Sequence, residues 1–118
     1  MSKHNETGVK GEQIAEKFLQ EKGYTVLHKN WCFGKKEIDL VTLKDDVLVF
    51  VEVKTRSSIG FSFPEEAVDF RKQAYLKAAA EAFLDQFPNY QKVQFDIVSI
   101  HLHHDRVKEI VHFEDAFY

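Results

Sequence analysis

Residues 37–55, EIDLVTLKDDVLVFVEVKT, constrain the fold more than any other stretch. Two β-rich runs flank KDD, close enough in sequence to form a hairpin. Phe50, Val51, Val53 and Thr55 suit a buried strand. Glu52 and Lys54 do not, because burial penalises a charge unless it is paired or bound to a metal. Valines occupy one parity of this run, and Leu48 and Phe50 occupy the other. The sheet is therefore expected to be covered on both faces.

The rest of the chain supplies the cover. GEQIAEKFLQEKG reads as an amphipathic helix with Ile14, Ala15, Phe18 and Leu19 on one face and Gly23 as its stop. YTVLHK is a short strand. After the loop RSSIGFSFPEEAV, Asp69 is placed to cap a second helix, whose apolar side is Leu76, Ala79, Ala80, Phe83 and Leu84 and which stops before Pro88. KVQFDIVSIHL and RVKEIVHF are two further strands joined at HHDR. The order is α-β-β-β-α-β-β, an α/β sandwich around one sheet.

Length and composition narrow the class. The 118 residues fit one domain, 1–118, large enough for a real core. A net charge of −3 gives no global attraction for nucleic acid, so any polyanion site must be a local patch. Cys32 is the only cysteine, which excludes an intramolecular disulfide and a cysteine-based zinc cluster. The longest purely apolar run, VLVFV, is too short to span a bilayer, and no signal core opens the chain. The expectation is a cytoplasmic protein with no membrane partner.

Side chains alternate along a strand, so Glu52 and Lys54 share a face, about 6.5–7 Å apart. With Asp45 and Asp46 as the hairpin loop, Lys44 pairs with Val47, Asp39 falls opposite Glu52, and Glu37 falls opposite Lys54. A four-residue loop keeps this register, whereas a three-residue loop would set Asp39 against Val51. Opposed carboxylates repel across a ladder. Either they lie on a solvated face or are neutralised by Lys54 and Arg56, or they hold a hard divalent cation, Mg²⁺ or Mn²⁺. Val41, Leu43, Leu48 and Phe50 share their face and argue that it is covered.

EID followed by FVEVK resembles the D…(D/E)-x-K signature of the restriction-endonuclease-like nuclease superfamily. The fuller series GEQIAEKFL, GY, Asn30, EIDLV, FVEVKTR, Gly60, EAV…RKQAYLKAAAEAFL, QFDIVSI and EDAFY is similar to the YraN-like family of uncharacterised bacterial proteins over nearly the whole chain. Lys36 departs from it, standing where that family usually has glycine. The resemblance implies a restriction-endonuclease-like core with a central mixed sheet flanked by helices. It implies that Asp39 and Glu52 bind the metal with the Val53 carbonyl, and that Lys54 orients the attacking water and stabilises charge on the phosphate. Glu12 matches an additional acidic position of related archaeal Holliday-junction resolvases, and Gln73 or Lys72 would approach from the second helix. Lys35, Lys36, Arg56, Arg71 and Lys72 would form a basic rim for DNA. Related resolvases work as symmetric dimers, so a homodimer belongs to the expectation.

Other residues invite chemistry and also admit plainer readings. Glu37 reads as an orienting partner of Lys54, and Glu12 equally as a first-turn acid favoured by the helix dipole. Asp96 caps or binds within the core. His101, His103, His104 and His112 suggest zinc, but two of them fall in a turn and no cysteine joins them. Phe61, Phe63 and Trp31 could stack on bases or simply pack. The expected function is Mg²⁺- or Mn²⁺-dependent cleavage of DNA, branched or structured substrates included. The alternatives are a non-catalytic nucleic-acid-binding module and a purely structural domain.

Overall fold

The computed structural model describes residues 6–56, 70–104 and 106–117. Its elements are α1 (Glu6–Glu21), β1 (Thr25–Phe33), β2 (Lys36–Lys44), β3 (Val47–Arg56), α2 (Phe70–Gln86), β4 (Lys92–His103) and β5 (Arg106–Phe117). The five strands form one mixed sheet in the order β1-β2-β3-β4-β5. β3 and β4 run parallel and the other pairs antiparallel. Among the described residues no helix is long and apolar enough to cross a membrane.

Among the described residues, each face of the sheet carries one helix. On one side Ala15 and Leu19 of α1 pack with Leu40, Val49, Val51, Val98 and Ile100. On the other, Leu76, Ala79, Ala80 and Phe83 of α2 pack with Val41, Leu48, Phe50, Phe95 and Ile97. The two parities of β3 thus serve two cores, as its sequence required. Phe83 is the aromatic centre of the second, with the rings of Trp31 and Phe50 set edge-on at 5.2 and 5.6 Å. Burying one such ring contributes about 1.5–3 kcal/mol. Trp31, partly buried, packs against this core.

Local signals set the boundaries. Gly23 takes a φ of 94°, its N–H reaches Gln20 O at 3.1 Å, and the Tyr24 N–H reaches Leu19 O at 2.9 Å. That double bond is the Schellman stop, in which glycine avoids the left-handed penalty. At the hairpin, Asp45 and Asp46 both have positive φ, 50° and 68°, as a two-residue type I′ turn requires. The register is the expected one, Lys44 on Val47 through Leu40 on Val51.

Three boundaries differ clearly from the sequence reading: β1 is not the short strand YTVLHK but runs on to Phe33, held by its pairing with β2. α1 begins at Glu6 rather than Gly11, so Glu12 sits nearly two turns inside the helix. The first-turn dipole reading of Glu12 fails on that ground, because the dipole acts within the terminal turn. β5 runs on through Phe117, whose ring stacks on Phe95 at 5.0 Å. The proposed cap Asp69, and Gly60, Phe61 and Phe63, lie outside the described residues.

Candidate functional site

The regular alternation of β2 breaks at Asp39. Ile38 packs on the α2 side and Leu40 on the α1 side, although they are two residues apart. Their partners on β1 are Trp31 and Lys29, and the residue between those two, Asn30, has a φ of 51°. Asparagine tolerates this left-handed conformation better than most residues. The ladder between β2 and β3 runs only as far as Leu40 on Val51. Beyond it the Asp39 carboxylate takes over from the backbone: Oδ2 accepts the Val53 N–H at 2.8 Å. The paired strands open here, with Asp39 and Glu52 as the next residues on either side.

Glu52 is 4 % exposed. Its Oε2 lies 3.5 Å from the Lys54 ammonium and 3.3 Å from that of Lys72, which arrives from α2. Its Oε1 is buried with no hydrogen-bond partner. An orphaned carboxylate oxygen loses its hydration without a replacement, so it marks a place for a missing donor or ligand. Burial pushes the Asp39 carboxyl up to about 8, with the Glu52 charge adding to the rise, the Val53 N–H opposing it, and Glu12 and Lys72 acting more weakly in opposite senses.

Glu12 enters from α1. Its Oε1 accepts the Asn30 amide at 3.2 Å, so the left-handed residue of β1 also fixes this carboxylate. The approach of α1 depends on Gly11, where a β-carbon would stand 1.9 Å from Thr55 Oγ1 on β3. The ammonium groups of Lys36 and Lys72 lie 5.2 and 5.7 Å from the Tyr75 ring centroid, and the Tyr75 hydroxyl donates to Phe33 O at 3.0 Å. Burial is the main cause that raises the Tyr75 hydroxyl, followed by nearby negative charge.

Of the sequence-proposed residues, Asp39, Glu52, Val53, Lys54, Glu12 and Lys72 thus come together. Gln73 is half-buried next to Lys72, Arg71 is exposed, and Arg56 is half-buried at the end of β3. Glu37 lies past the described β2–β3 ladder and pairs with Cys32 on β1, so the ladder does not set it opposite Lys54. Among the described residues no three His, Cys, Asp or Glu side chains converge to hold a metal. His103 and His104 are exposed neighbours with ring centroids 4.3 Å apart.

His112 belongs to a separate network around Asp96. Asp96 Oδ2 lies 2.7 Å from His112 Nε2 and 3.2 Å from the Tyr24 hydroxyl, while Oδ1 accepts from Gln94 at 2.9 Å and from the Asp115 N–H at 3.0 Å. Burial works to raise this carboxyl, but the bonds from His112, Asp115 and Gln94 outweigh it and hold it below the usual range. The network fastens the end of α1 to β4 and β5. Two residues escaped the sequence reading. Asn30 was visible only as one element of a motif, and Phe70, 86 % exposed on the first turn of α2, gave no signal.

Fold and site define an α/β protein with a five-stranded mixed sheet, one helix on each face, and an acidic pair where the central hairpin opens. The profile of a family described as "Uncharacterised protein family UPF0102" matches residues 11–100. A UPF0102 protein of Flavobacterium psychrophilum is 42 % identical over 118 residues, covering 100 % of this chain and 98 % of its own. One of Bacteroides thetaiotaomicron is 42 % identical with 100 % and 97 % covered, and one of Natranaerobius thermophilus 45 % identical with 93 % and 95 % covered. The chain belongs to the UPF0102 family.

Proposed function

We propose that this protein is a Mg²⁺- or Mn²⁺-dependent endonuclease with a restriction-endonuclease-like core, hydrolysing phosphodiester bonds in DNA, branched or structured DNA included. The observation that carries the reading is the convergence of Asp39, Glu52 and Lys54 where β2 and β3 part, with Glu52 Oε1 buried and unpartnered. The donor set suits a hard cation, since Mg²⁺ is commonly held by one or two carboxylates together with water and substrate phosphate. Asp39 and Glu52 would hold it, with the Val53 carbonyl as a third ligand. When bound, the cation supplies a nucleophilic water near neutral pH and positive charge at the phosphate.

The chain's own residues do the rest. Burial and the Glu52 charge hold the Asp39 carboxyl above the usual carboxylate range, so a cation at this site would compete with its proton. Lys54, 3.5 Å from Glu52, would orient the attacking water and stabilise the charge that develops on phosphate oxygen. Lys72 draws the start of α2 onto the same carboxylate. Arg71 and Phe70, exposed beside it, offer a charge to backbone phosphate and a ring to an unpaired base.

A non-catalytic nucleic-acid-binding module is the second reading. The two ammonium groups on Glu52 favour it, because they neutralise that carboxylate without a metal. Linear, single-stranded, flapped and four-way-junction DNAs, each with Mg²⁺, Mn²⁺ or EDTA, separate the two. The endonuclease cleaves at least one of them in a divalent-dependent way. Lys54→Ala then keeps the fold and loses cleavage by a factor on the order of 10²–10⁴. Lys54→Arg restores it only in part, because a planar fork cannot replace a compact ammonium. Wild-type protein without cleavage, and an alanine variant about 3–5 kcal/mol less stable that arginine rescues, would make Lys54 a structural ion-pair partner.

A further inference from the structure

Two buried nitrogens at the carboxyl ends of β3 and β4 have no hydrogen-bond partner: Arg56 Nε and His101 Nε2. The two residues are direct partners in the parallel ladder. By strand alternation Arg56 shares a face with Glu52 and Lys54, and His101 shares one with Ile97 and Ser99, which is the α2 side of the sheet. Ser99, buried, is the ladder partner of Lys54. Nearly all buried polar groups in folded proteins are satisfied, so two adjacent exceptions need a cause.

The charge balance says what kind. Lys54 and Lys72 both lie against Glu52 Oε2, so that carboxylate already meets two ammonium groups. Arg56 adds a third positive charge about 6.5–7 Å along the strand from Lys54, and among the described residues it has no carboxylate partner. An arginine Nε–H beside an imidazole nitrogen fits an anionic oxygen acceptor, and phosphate best matches the geometry of guanidinium. The carboxyl edge of parallel strands is also where open α/β sheets bind their ligands.

We propose that Arg56 and His101 form a phosphate subsite, which holds the backbone phosphate next to the one at Lys54 on the same nucleic-acid strand. It rests on the nucleic-acid reading for its occupant, but not on catalysis.

The test is done in EDTA, on binding alone. Inorganic phosphate and a short single-stranded oligonucleotide are each added to wild type and to the double variant Arg56→Met/His101→Leu, with thermal melts and anisotropy as readouts. Both ligands raise the wild-type Tm by mass action. The double variant melts no lower than wild type without ligand, because two unsatisfied buried groups are gone. It loses the phosphate-induced rise, binds the oligonucleotide roughly tenfold or more weakly, and shows a salt slope shallower by about 1. Arg56→Lys keeps the charge but not the Nε–H, and it loses most of the phosphate response. A ligand-free double variant that melts well below wild type, or one that keeps the full phosphate response, overturns the subsite. An unaltered phosphate response in Arg56→Lys overturns it as well. A response to inorganic phosphate with no change in oligonucleotide affinity overturns the nucleic-acid occupant in favour of free phosphate. Intact Arg56-dependent binding without divalent-dependent cleavage sinks the hydrolytic reading and leaves the subsite standing.

Discussion

Gly11 offers a sharp test of how the site is held in place. A β-carbon there would lie 1.9 Å from Thr55 Oγ1 and 2.8 Å from Thr55 Cβ and Cγ2. Rotating the Thr55 side chain relieves the contact with oxygen but not the one with Cβ. Against an ordinary carbon–carbon contact of about 3.5 Å, α1 and β3 must part by roughly 0.7 Å. Overpacking of this kind costs about 1–3 kcal/mol, while alanine in a helix interior gains about 1 kcal/mol over glycine. Gly11→Ala should therefore destabilise by about 1 kcal/mol, lowering Tm by a few degrees, as denaturant and thermal melts will record. In the Thr55→Gly background the obstacle is gone, and the same substitution should stabilise by up to about 1 kcal/mol. The sign reversal is the diagnostic. The shift also carries Glu12 away from Asn30 and Asp39, so the metal response should weaken in Gly11→Ala and return in the double variant. A Gly11→Ala protein that is more stable in both backgrounds would refute the close approach.

Asp39 and Asp96 make opposite forecasts about pH. The Asp39 carboxyl is raised from 3.8 to about 8, so its contribution is fully present below about pH 4 and is lost as pH rises through about 8. The decline in metal-free stability cannot exceed about 1.4 kcal/mol per pH unit for one proton. Asp39→Asn, whose amide oxygen can still accept the Val53 N–H, should flatten that decline, gain slightly in stability at pH 8, and lose the Tm rise given by Mg²⁺ or Mn²⁺. A sharp loss of metal-free stability in this variant would mean the carboxylate is structurally paired. Asp96 is held low, so its contribution is present above the ordinary carboxylate range and is lost as pH falls through its depressed value. Asp96→Ala strands donors from Tyr24, Gln94, His112 and Asp115 and should cost about 3–5 kcal/mol at neutral pH. The gap to wild type should narrow on acidification, and the divalent-induced Tm rise should persist in whatever fraction remains folded.

The hairpin register could be read from the sequence because its determinants are local. Asp45 and Asp46 accept left-handed backbone, and a slip by one residue would have sent Val41 and Phe50 to the wrong side. The two cores followed from the parity of β3, and the end of α1 from Gly23. What escaped notice has no apolar period behind it. ETGVK before Gly11 is too polar to show a helical stripe, yet the helix covers it, and the last residues of β5 are held by backbone pairing and by Phe117 on Phe95. The opening at Asp39 was hidden because strict alternation assumes an unbroken ladder, whereas here one left-handed asparagine and one carboxylate on a neighbouring N–H replace it. Lys72 could be placed only by resemblance, since its meeting with Glu52 depends on how α2 crosses the sheet.

The sequential strand order has a consequence for how the acidic pair comes into being. Three of the four strand pairings join consecutive strands through a short connection, and only the parallel pairing of β3 with β4 must wait for the α2 crossover. Local hairpins close in microseconds, whereas longer-range parallel pairing is intrinsically slower. Glu12, Asp39, Glu52 and Lys54 all precede the crossover, and they leave the ribosome before Lys72 and His101. Until α2 docks, the carboxylates remain hydrated and their mutual repulsion is screened. The electrostatic penalty is thus deferred to the closing step of folding, when water is expelled and the lysine that answers Glu52 arrives on the same helix.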